Sequence, residues 1–532
     1  MKASDLLVKC LEAEGVEYIF GIPGEENIDV MDSLSRSSIR FVLTRHEQGA
    51  AFMADVYGRL TGKPGVCLAT LGPGASNLVT GVANAHLDRS PLIAITGQAE
   101  RTRLHKESHQ NVDTIQLFEG ITKYDRQILD ARTIPEIVRK AFDLATAESA
   151  GAVHLQLPED VAKDDAPGAP LPIGKQARAV PGADSLQAAA GLIAAARRPI
   201  ILAGNGVIRG RAWNELRKLV DMSNLPLVNT FMAKGLLPFE HPRNLFTVGG
   251  RPYPEGLRPL HEADLIVAVG FDLVEYDPVV WNADGSRQVL NVHSIQAETD
   301  AHFPVALDLV GDLSDTLSAL SDCVKRRPNP KAHDRVQKLR LEELSSVPHP
   351  QEELPRKVMR TLSETLPKET IVISDVGLHK VWVSRWYQPK EPGRTIIYNG
   401  LASMGASLPG AVASRLAEPG SPVVVVSGDG GFLMNVQELE TARRLGAGFT
   451  VVLFTDGRYS LIEKHQRDAG LAVTEIAFSN PDFELLARSF GAAYRRVETP
   501  EAFEAALREA VDSGELNVLE VALKRPPAEP AG

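Results

Sequence analysis

The chain has 532 residues, too many for one hydrophobic core, and at roughly 150 residues per domain it predicts about three to four folded units. Its 57 basic and 68 acidic side chains give a formal net charge of -11, which argues against nucleic acid or an anionic membrane as the main partner. The three cysteines, Cys10, Cys67 and Cys323, lie far apart without a CxxC pair, so we expect no disulfide framework or zinc site, and a reducing cytoplasm is the expected location.

The first predicted domain covers residues 1–170. Residues 4–14 predict a helix with charges throughout, unlike a signal peptide, and no apolar run in the chain reaches the ~20 residues of a membrane span. Three apolar strands follow, "YIFGIPG", "GVCLATLGPG" and "PLIAITGQ", with helical stretches between them. Such an alternation indicates a parallel sheet covered on both faces. The Pro/Gly-rich residues 164–174 predict a linker.

The same alternation predicts two more domains, over residues 180–340 and 355–532. The strands "PIILAGNG", "LPLVNT" and "ADLIVAVGFD" mark the second domain, and "TIVISDVG", "SPVVVVSGDGG" and "FTVVLFTDG" mark the third. The predicted fold is therefore α/β, with three doubly wound parallel-sheet domains. In such sheets ligands bind outside the carboxyl ends of the strands.

Two strands of the third domain are followed directly by an acid. Asp429 stands between two glycines after "VVVV", and Asp456 ends the next apolar strand. If these strands are neighbours, both carboxylates lie at one sheet edge, where they suit Mg²⁺ and leave room for phosphate oxygens. A helix predicted from about Asn435 would point its N-terminus at the same anion. The plainer alternative is a pair of tight turns with capping aspartates.

This pattern resembles the cofactor motif of thiamin-diphosphate-dependent enzymes. The resemblance implies a pyrimidine-binding, a central and a diphosphate-binding domain, with Mg²⁺ held by Asp429, Asp456 and the backbone carbonyl of Arg458. Many members carry Asn-Asn where this chain has Thr455-Asp456. An acid in the second position resembles the catabolic acetolactate synthases.

A second segment, "LTRHEQGAAFMADVYGRLTGKPG", places Glu47 after a strand, at the start of a predicted helix. Alone, such a glutamate is usually a surface residue favoured by the helix dipole. The whole string, however, resembles the family segment whose glutamate hydrogen-bonds the aminopyrimidine ring and promotes cofactor deprotonation. The resemblance therefore makes Glu47 the expected catalytic acid.

Other loops resemble cofactor-binding segments of the family. Met404 holds the place of the residue that bends the cofactor, although a methionine beside glycines is more often core filler. The cofactor contacts implied in this way are Pro23, Gly24, Asn77, Gly377, Leu378, His379, Asn399, Gly400, Met404, Gly428, Asp429, Gly430, Gly431, Asp456, Tyr459, Ser460, Leu461 and Ile462.

Three features bear on the subfamily. Gln110 stands where simple pyruvate decarboxylases carry a histidine, and a glutamine that does not readily supply a proton would favour ligation; the alternative is a turn-capping residue. The segment "VAVGFDLVEYDPVVWN" resembles the catabolic enzymes, so FAD is possible but not favoured, although "FMAKGLLPFEHP" looks more like the FAD-containing biosynthetic form. His465 fits neither subfamily. In the loop "GIPGEEN", Glu25 and Glu26 either face a ketoacid or are solvated.

The resemblance thus implies a cytoplasmic acetolactate synthase that acts on small 2-ketoacids with thiamin diphosphate and Mg²⁺. It implies a homodimer or homotetramer with active sites between subunits. A 2-ketoacid decarboxylase, a carboligase with another donor or acceptor, and a non-catalytic cofactor-binding homologue remain alternatives.

Overall fold

The computed structural model describes residues 1–174, 177–249, 254–327, 331–347 and 350–523. Within these ranges the chain forms three parallel sheets of six strands each, with helices between the strands. The predicted fold class is confirmed. Residues 524–532 of the predicted third domain, and residues 250–253 and 328–330 of the second, lie outside the described ranges.

The first domain is built on a sheet with the strand order β2-β1-β3-β4-β6-β5. Its helix α1 spans Ala3–Ala13, one residue earlier at each end than predicted. The strands are β1 Tyr18–Gly21, β2 Arg40–Leu43, β3 Gly65–Ala69, β4 Leu92–Gln98, β5 Tyr124–Gln127 and β6 Ala152–Pro158. The remaining helices are α2 Ile28–Leu34, α3 Glu47–Thr61, α4 Gly72–Leu87, α5 Thr114–Glu119, α6 Ile134–Thr146 and α7 Glu159–Lys163.

The central domain has the strand order β12-β11-β10-β7-β8-β9. The chain winds in one direction from β7 to β9 and in the opposite direction from β10 to β12, with β7 and β10 adjacent in the middle. Doubly wound sheets that bind dinucleotides have this strand order. The strands are β7 Pro199–Ala203, β8 Leu227–Asn229, β9 Asn244–Thr247, β10 Leu265–Val269, β11 Gln288–His293 and β12 Val305–Val310. The helices are α8 Ala183–Ala195, α9 Asn205–Arg209, α10 Trp213–Ser223, α11 Arg258–His261 and α12 Leu313–Cys323.

The third domain has the strand order β14-β13-β15-β16-β18-β17, the same topology as the first domain. The strands are β13 Ile371–Ser374, β14 Thr395–Ile397, β15 Val423–Gly428, β16 Thr450–Thr455, β17 Ala493–Val497 and β18 Asn517–Ala522. The helices, including α13 before the domain, are α13 Lys331–Ser345, α14 Glu353–Thr365, α15 Leu378–Trp386, α16 Ser407–Ala417, α17 Asp429–Met434, α18 Glu438–Leu445, α19 Ser460–Asp468, α20 Phe483–Ser489 and α21 Pro500–Ser513.

The first and third domains share one hydrophobic core. Helix α3 packs against α16, and the rings of Phe52 and Tyr398 lie 6.4 Å apart across this contact. Burying a core of this kind stabilises an interface in proportion to the apolar area removed from water. The two domains of one chain are therefore held in a fixed relation. Among the described residues no helix is both long and apolar enough to cross a membrane.

Candidate active site

The two acids identified from the sequence lie together at one edge of the third sheet. Strands β15 and β16 are parallel neighbours, with Gly428 opposite Phe454 in the register. Asp429 directly follows β15, and Asp456 directly follows β16. The buried valines of β15 fix this strand in the core, so the position of Asp429 at the sheet edge is set by the hydrophobic effect.

The carboxylate of Asp429 is buried and held by several hydrogen bonds. Its Oδ2 accepts the backbone N–H groups of Asp456 at 3.0 Å and Gly457 at 2.7 Å, and its Oδ1 accepts the N–H of Gly430 at 2.9 Å. The side chain of Asp456 accepts a hydrogen bond from the hydroxyl of Ser460. These bonds orient both carboxylates and leave lone pairs on them for a cation.

The helix after β15 begins earlier than predicted. Helix α17 starts at Asp429 itself, and Asn435 is the residue at its end, so the prediction of a helix from about Asn435 was wrong. Gly430 and Gly431 lie inside α17, which has only 6 residues, so the helix begins directly at the strand end and not after the glycines. A second helix, α18, then begins at Glu438.

A cavity opens in front of the two acids. Its lining contains most of the predicted cofactor contacts, and all of its lining residues in the described chain belong to the third domain. These residues are Val376, Gly377, Leu378, His379, Trp382, Met404, Gly428, Asp429, Gly430, Gly431, Phe454, Asp456, Arg458, Tyr459, Ser460, Leu461, Ile462 and Leu523.

Two helices present their N-termini to this cavity. Helices α15 and α19 begin at Leu378 and Ser460, and neither has a side chain capping its first turn. The Nε2 atom of His379 is also buried without a hydrogen-bond partner, and burial lowers the pKa of His379 to about 4, which keeps the ring neutral. Free N–H groups at helix N-termini beside two carboxylates match a metal-bound diphosphate.

The second half of the site lies on the first domain. Glu47 is the first residue of α3, whose preceding His46 accepts the N–H of Gln48 through its ring Nδ1. The side-chain amide of Asn77 donates a 3.0 Å hydrogen bond to Oε2 of Glu47. The structure therefore brings these two predicted residues into contact.

Gln110 adjoins this group. Its φ of 57° is in the left-handed region, and a Cβ at Gly72 would lie 2.2 Å from the Gln110 carbonyl oxygen. Only glycine fits at position 72, since this approach leaves no room for a side chain. The Gln110 side chain is exposed on the same side of the domain as the start of α4.

The loop after β1 completes the group. Pro23 is exposed in this loop, and Gly24 passes next to Thr70, whose hydroxyl donates a 2.7 Å hydrogen bond to Oε2 of Glu26. Glu26 is buried while Glu25 is exposed. The solvated alternative was wrong for Glu26, because the residue is buried and Thr70 binds its carboxylate.

Two of the predicted cofactor contacts lie elsewhere. The backbone N–H groups of Asn399 and Gly400 point to the carboxylate of Asp88, and the Asn399 side chain donates to the Glu275 carbonyl oxygen. They therefore lie where the three domains meet. His465 is exposed on α19.

The turn after the first strand of the central domain, β7, is filled by the chain itself. The carboxylate of Glu275 accepts the backbone N–H of Asn205 at 2.9 Å and the hydroxyl of Thr230. Burial, together with nearby Asp272, raises the pKa of Glu275 to about 7. A dinucleotide would place its diphosphate at this turn after the first strand. In this chain the backbone N–H of Asn205 at that turn is bonded to the carboxylate of Glu275.

The sequence analysis missed two residues, Asn480 and Glu438, that bond to Asp429 and to the segment before Glu47. Asn480 donates a 2.8 Å hydrogen bond to Oδ2 of Asp429 from a loop that precedes α20. Glu438 lies against the chain leading into α3. Neither position carries a local pattern that would reveal it, because both act on residues far away in the sequence.

Comparisons with known proteins agree with this geometry. Family models for thiamine pyrophosphate enzymes match the N-terminal TPP binding domain at residues 1–117, the central domain at 186–320 and the C-terminal TPP binding domain at 375–521. An acetolactate synthase of Bacillus subtilis (strain 168) is 36% identical, over 96% of this chain and 91% of its own length. This chain belongs to the acetolactate synthase family.

Two further members of the family cover nearly the whole chain. A probable acetolactate synthase large subunit of Methanococcus aeolicus is 33% identical over 98% of this chain and 92% of its own length. A catabolic acetolactate synthase of Raoultella terrigena is 34% identical over 96% of this chain and 92% of its own length. The chain is thus a thiamine-pyrophosphate-dependent enzyme whose two cofactor-binding domains are the first and third domains described above.

The residues present fit the family cofactor. The cavity offers uncapped helix N-termini, an unpaired His379 nitrogen and two oriented carboxylates. Among the described residues no group of three or more His, Cys, Asp and Glu side chains could hold a metal ion. A pair of carboxylates is nevertheless the protein set expected for Mg²⁺ that also binds substrate phosphates and waters.

Proposed function

We propose that this protein is an acetolactate synthase that uses thiamin diphosphate and Mg²⁺. Two pyruvate anions and one proton would give 2-acetolactate and CO₂. The observation that carries this proposal is the pair Asp429 and Asp456, side by side at the ends of neighbouring strands in a cavity with two open helix N-termini. Membership in the acetolactate synthase family supports the same reaction.

Asp429, Asp456 and the carbonyl of Arg458 would hold Mg²⁺, and the metal would anchor the diphosphate. The first turns of α15 and α19 would donate N–H groups to the remaining phosphate oxygens. Met404 lines the same cavity, in line with its predicted contact to the bent cofactor.

When bound, the thiazolium ring supplies the electron sink for decarboxylation. Glu47 would bind the aminopyrimidine ring and exchange a proton with it through a carboxylate oxygen. Asn77 orients this carboxylate, since its amide donates to Oε2. Gln110, on the same domain, would hydrogen-bond the substrate without delivering the proton that ends the reaction as acetaldehyde.

We infer that two copies of the chain complete each site. The described residues that line the third-domain cavity include none from the first domain, where Glu47 lies. Tyr459 and Ile462 beside the cavity are 38% and 50% exposed, which leaves apolar surface for a partner to cover. A homodimer with sites between subunits is therefore the proposed minimum assembly.

We further propose that the enzyme works in the cytoplasm without FAD. The carboxylate of Glu275 supports the second part, because it occupies the central-domain turn that would bind the diphosphate of a dinucleotide. The three free cysteines agree with a reducing compartment. A purified protein with a flavin spectrum would contradict the assignment.

A product assay tests the proposal. Dialysed protein is supplied with pyruvate, Mg²⁺ and thiamin diphosphate, and the products are identified by NMR without acid treatment. We expect 2-acetolactate. Acetaldehyde alone would indicate a decarboxylase, unchanged pyruvate would indicate a different donor ketoacid, and inactivity with every ketoacid would indicate a non-catalytic homologue.

A further inference from the structure

Glu438 of the third domain lies against the segment that leads into α3 of the first domain. The side chain is completely buried, although it carries a carboxylate. Its Oε1 accepts the backbone N–H of Arg45 at 3.0 Å, and the N–H of His46 also bonds to the carboxylate. Its Oε2 accepts the hydroxyl of Thr441 at 2.7 Å. A buried carboxylate held in this way is costly to form and costly to disrupt.

The contact is close enough to restrict the sequence of α3. A Cβ at Gly49 would lie 2.7 Å from Oε1 of Glu438, so a side chain at position 49 would push the carboxylate away. The third domain thus contacts α3 within its first turn, and the first residue of that turn is Glu47.

Two neighbouring contacts fix the same segment. Asn435, which is buried, donates a 3.1 Å hydrogen bond to the side-chain oxygen of Gln48 and another to the carbonyl of Gly405. The guanidinium of Arg444 donates to the carbonyl oxygen of Leu43. The end of β2 and the start of α3 are therefore held from the third domain on both sides of Glu47.

We propose that Glu438 is a positioning residue that fixes the N-terminus of α3 and thereby the orientation of Glu47 toward the cofactor. This inference rests on the proposed function, since it assigns Glu47 the proton exchange with the bound cofactor. Glu438 itself touches neither substrate nor cofactor. It acts through the backbone at Arg45 and His46, so an oxygen that accepts a hydrogen bond is required at this point, and the negative charge is not.

Three variants separate this role from simple stability. Glu438→Ala removes the acceptor, Glu438→Gln keeps an acceptor oxygen without charge, and Glu438→Asp keeps the charge but shortens its reach. The matched control is Glu418→Ala, which removes a third-domain glutamate bonded by Ser421 and Arg394 of the same domain.

Two measurements report on the position of Glu47 without relying on product formation. The first is the rate at which the C2 proton of bound thiamin diphosphate exchanges with deuterium, measured by quenched-flow NMR with pyruvate absent. The second is amide hydrogen exchange of residues 43–49, measured by mass spectrometry on protein free of cofactor.

We expect Glu438→Ala to slow C2 exchange at least tenfold while changing the Kd for thiamin diphosphate less than threefold, and to speed amide exchange in residues 43–49. Glu438→Gln should stay within threefold of the wild type in all three quantities, and Glu418→Ala should match the wild type. If Glu438→Ala does not fold, Glu438→Asp is expected to give the same pattern in weaker form.

Wild-type C2 exchange in a folded Glu438→Ala or Glu438→Asp protein would overturn the proposal. A Glu438→Gln protein as slow as Glu438→Ala would overturn the claim that the acceptor and not the charge matters. If the wild type itself neither bound thiamin diphosphate nor exchanged its C2 proton, the proposed function would fail first, and this inference with it.

Discussion

Asn480 donates its side-chain N–H to the carboxylate of Asp429 at 2.8 Å, from the loop between α19 and α20, although Asp429 lies at the end of β15. Backbone bonds hold this loop in place: the N–H of Phe478 donates to the carbonyl of Gly457, and the N–H of Tyr459 donates to that of Ile476. The amide oxygen of Asn480, Oδ1, is buried without a hydrogen-bond partner. Asn480 therefore orients the carboxylate of Asp429, a proposed Mg²⁺ ligand, and is not itself a proposed ligand.

We expect Asn480→Leu, which keeps the volume but not the hydrogen bond, to weaken Mg²⁺-dependent binding of thiamin diphosphate by roughly 10- to 100-fold. Isothermal titration at several Mg²⁺ concentrations measures the effect. Asn517→Leu is the matched control, because Asn517 is buried in the same domain and its amide donates to carbonyl and hydroxyl oxygens away from the cavity. If both variants bound thiamin diphosphate with equal affinity, Asn480 would have no role in the proposed metal site.

Asp429→Ala should abolish cofactor retention altogether. The substitution removes the carboxylate that orients the ends of β15 and β16 and that is proposed to bind Mg²⁺. Gel filtration of protein loaded with Mg²⁺ and thiamin diphosphate, followed by assay of the released cofactor, checks the result. Unchanged Mg²⁺-dependent retention would contradict the metal assignment.

Glu47→Gln should bind thiamin diphosphate almost normally and lose about 10²- to 10⁴-fold in kcat, the usual contribution of a general acid–base group. The amide can still pair with Asn77, so the local structure is kept. Steady-state kinetics with pyruvate and a binding titration give the two numbers. The assignment of Glu47 would be wrong if the variant turned over like the wild type.

Gln110→His should divert the reaction from acetolactate toward acetaldehyde. Histidine supplies a proton near neutral pH, and it tolerates the left-handed backbone at this position better than most residues. The ratio of the two products by NMR measures the effect, with Gln116→His on nearby α5 as a control for an added imidazole. An unchanged product ratio would leave Gln110 as a turn residue.

Mixed chains test the shared site. A Glu47→Gln chain and an Asp429→Ala chain are each expected to be inactive alone. If the site combines Glu47 of one copy with Asp429 of another, a hybrid dimer contains one intact site and should show about half the wild-type rate per dimer. Hybrids purified with two different tags provide the measurement, and inactive hybrids would place both residues in one chain's site.

The pH dependence of stability tests the buried state of Glu438. Burial raises the pKa of Glu438 to about 6 from an ordinary value of 4.5. Because the folded state binds the proton more tightly, protonated Glu438 adds to the free energy of unfolding. This stabilisation is complete below pH 4.5 and is lost as the pH rises through about 6, a change of about 2 kcal/mol at most. The melting temperature of Glu438→Gln relative to the wild type should rise between pH 4.5 and 7. If the difference in melting temperature between Glu438→Gln and the wild type did not change with pH, burial would not raise the pKa of Glu438.

The sequence by itself determined the elements and their chemistry. Apolar strands separated by amphipathic helices require parallel sheets covered on both faces, because only burial stabilises such strands. Glycine-flanked Asp429 after a run of valines is a local pattern, and so is Glu47 at the start of a helix. Both patterns place their acids at the carboxyl ends of strands, and the structure has Asp429 and Asp456 at one sheet edge and Glu47 at the start of α3.

Tertiary structure alone decided the contacts between distant segments. The bonds from Asn480 to Asp429 and from Glu438 to Arg45 join residues that have no shared local pattern, since the folding of separate sheets brings them together. Thr70 binds the carboxylate of Glu26, which the sequence left as either solvated or near a ketoacid, and the turn at Asn205 binds the carboxylate of Glu275. Burial and hydrogen bonding depend on what surrounds a side chain in space, and for these residues the surroundings come from distant parts of the chain.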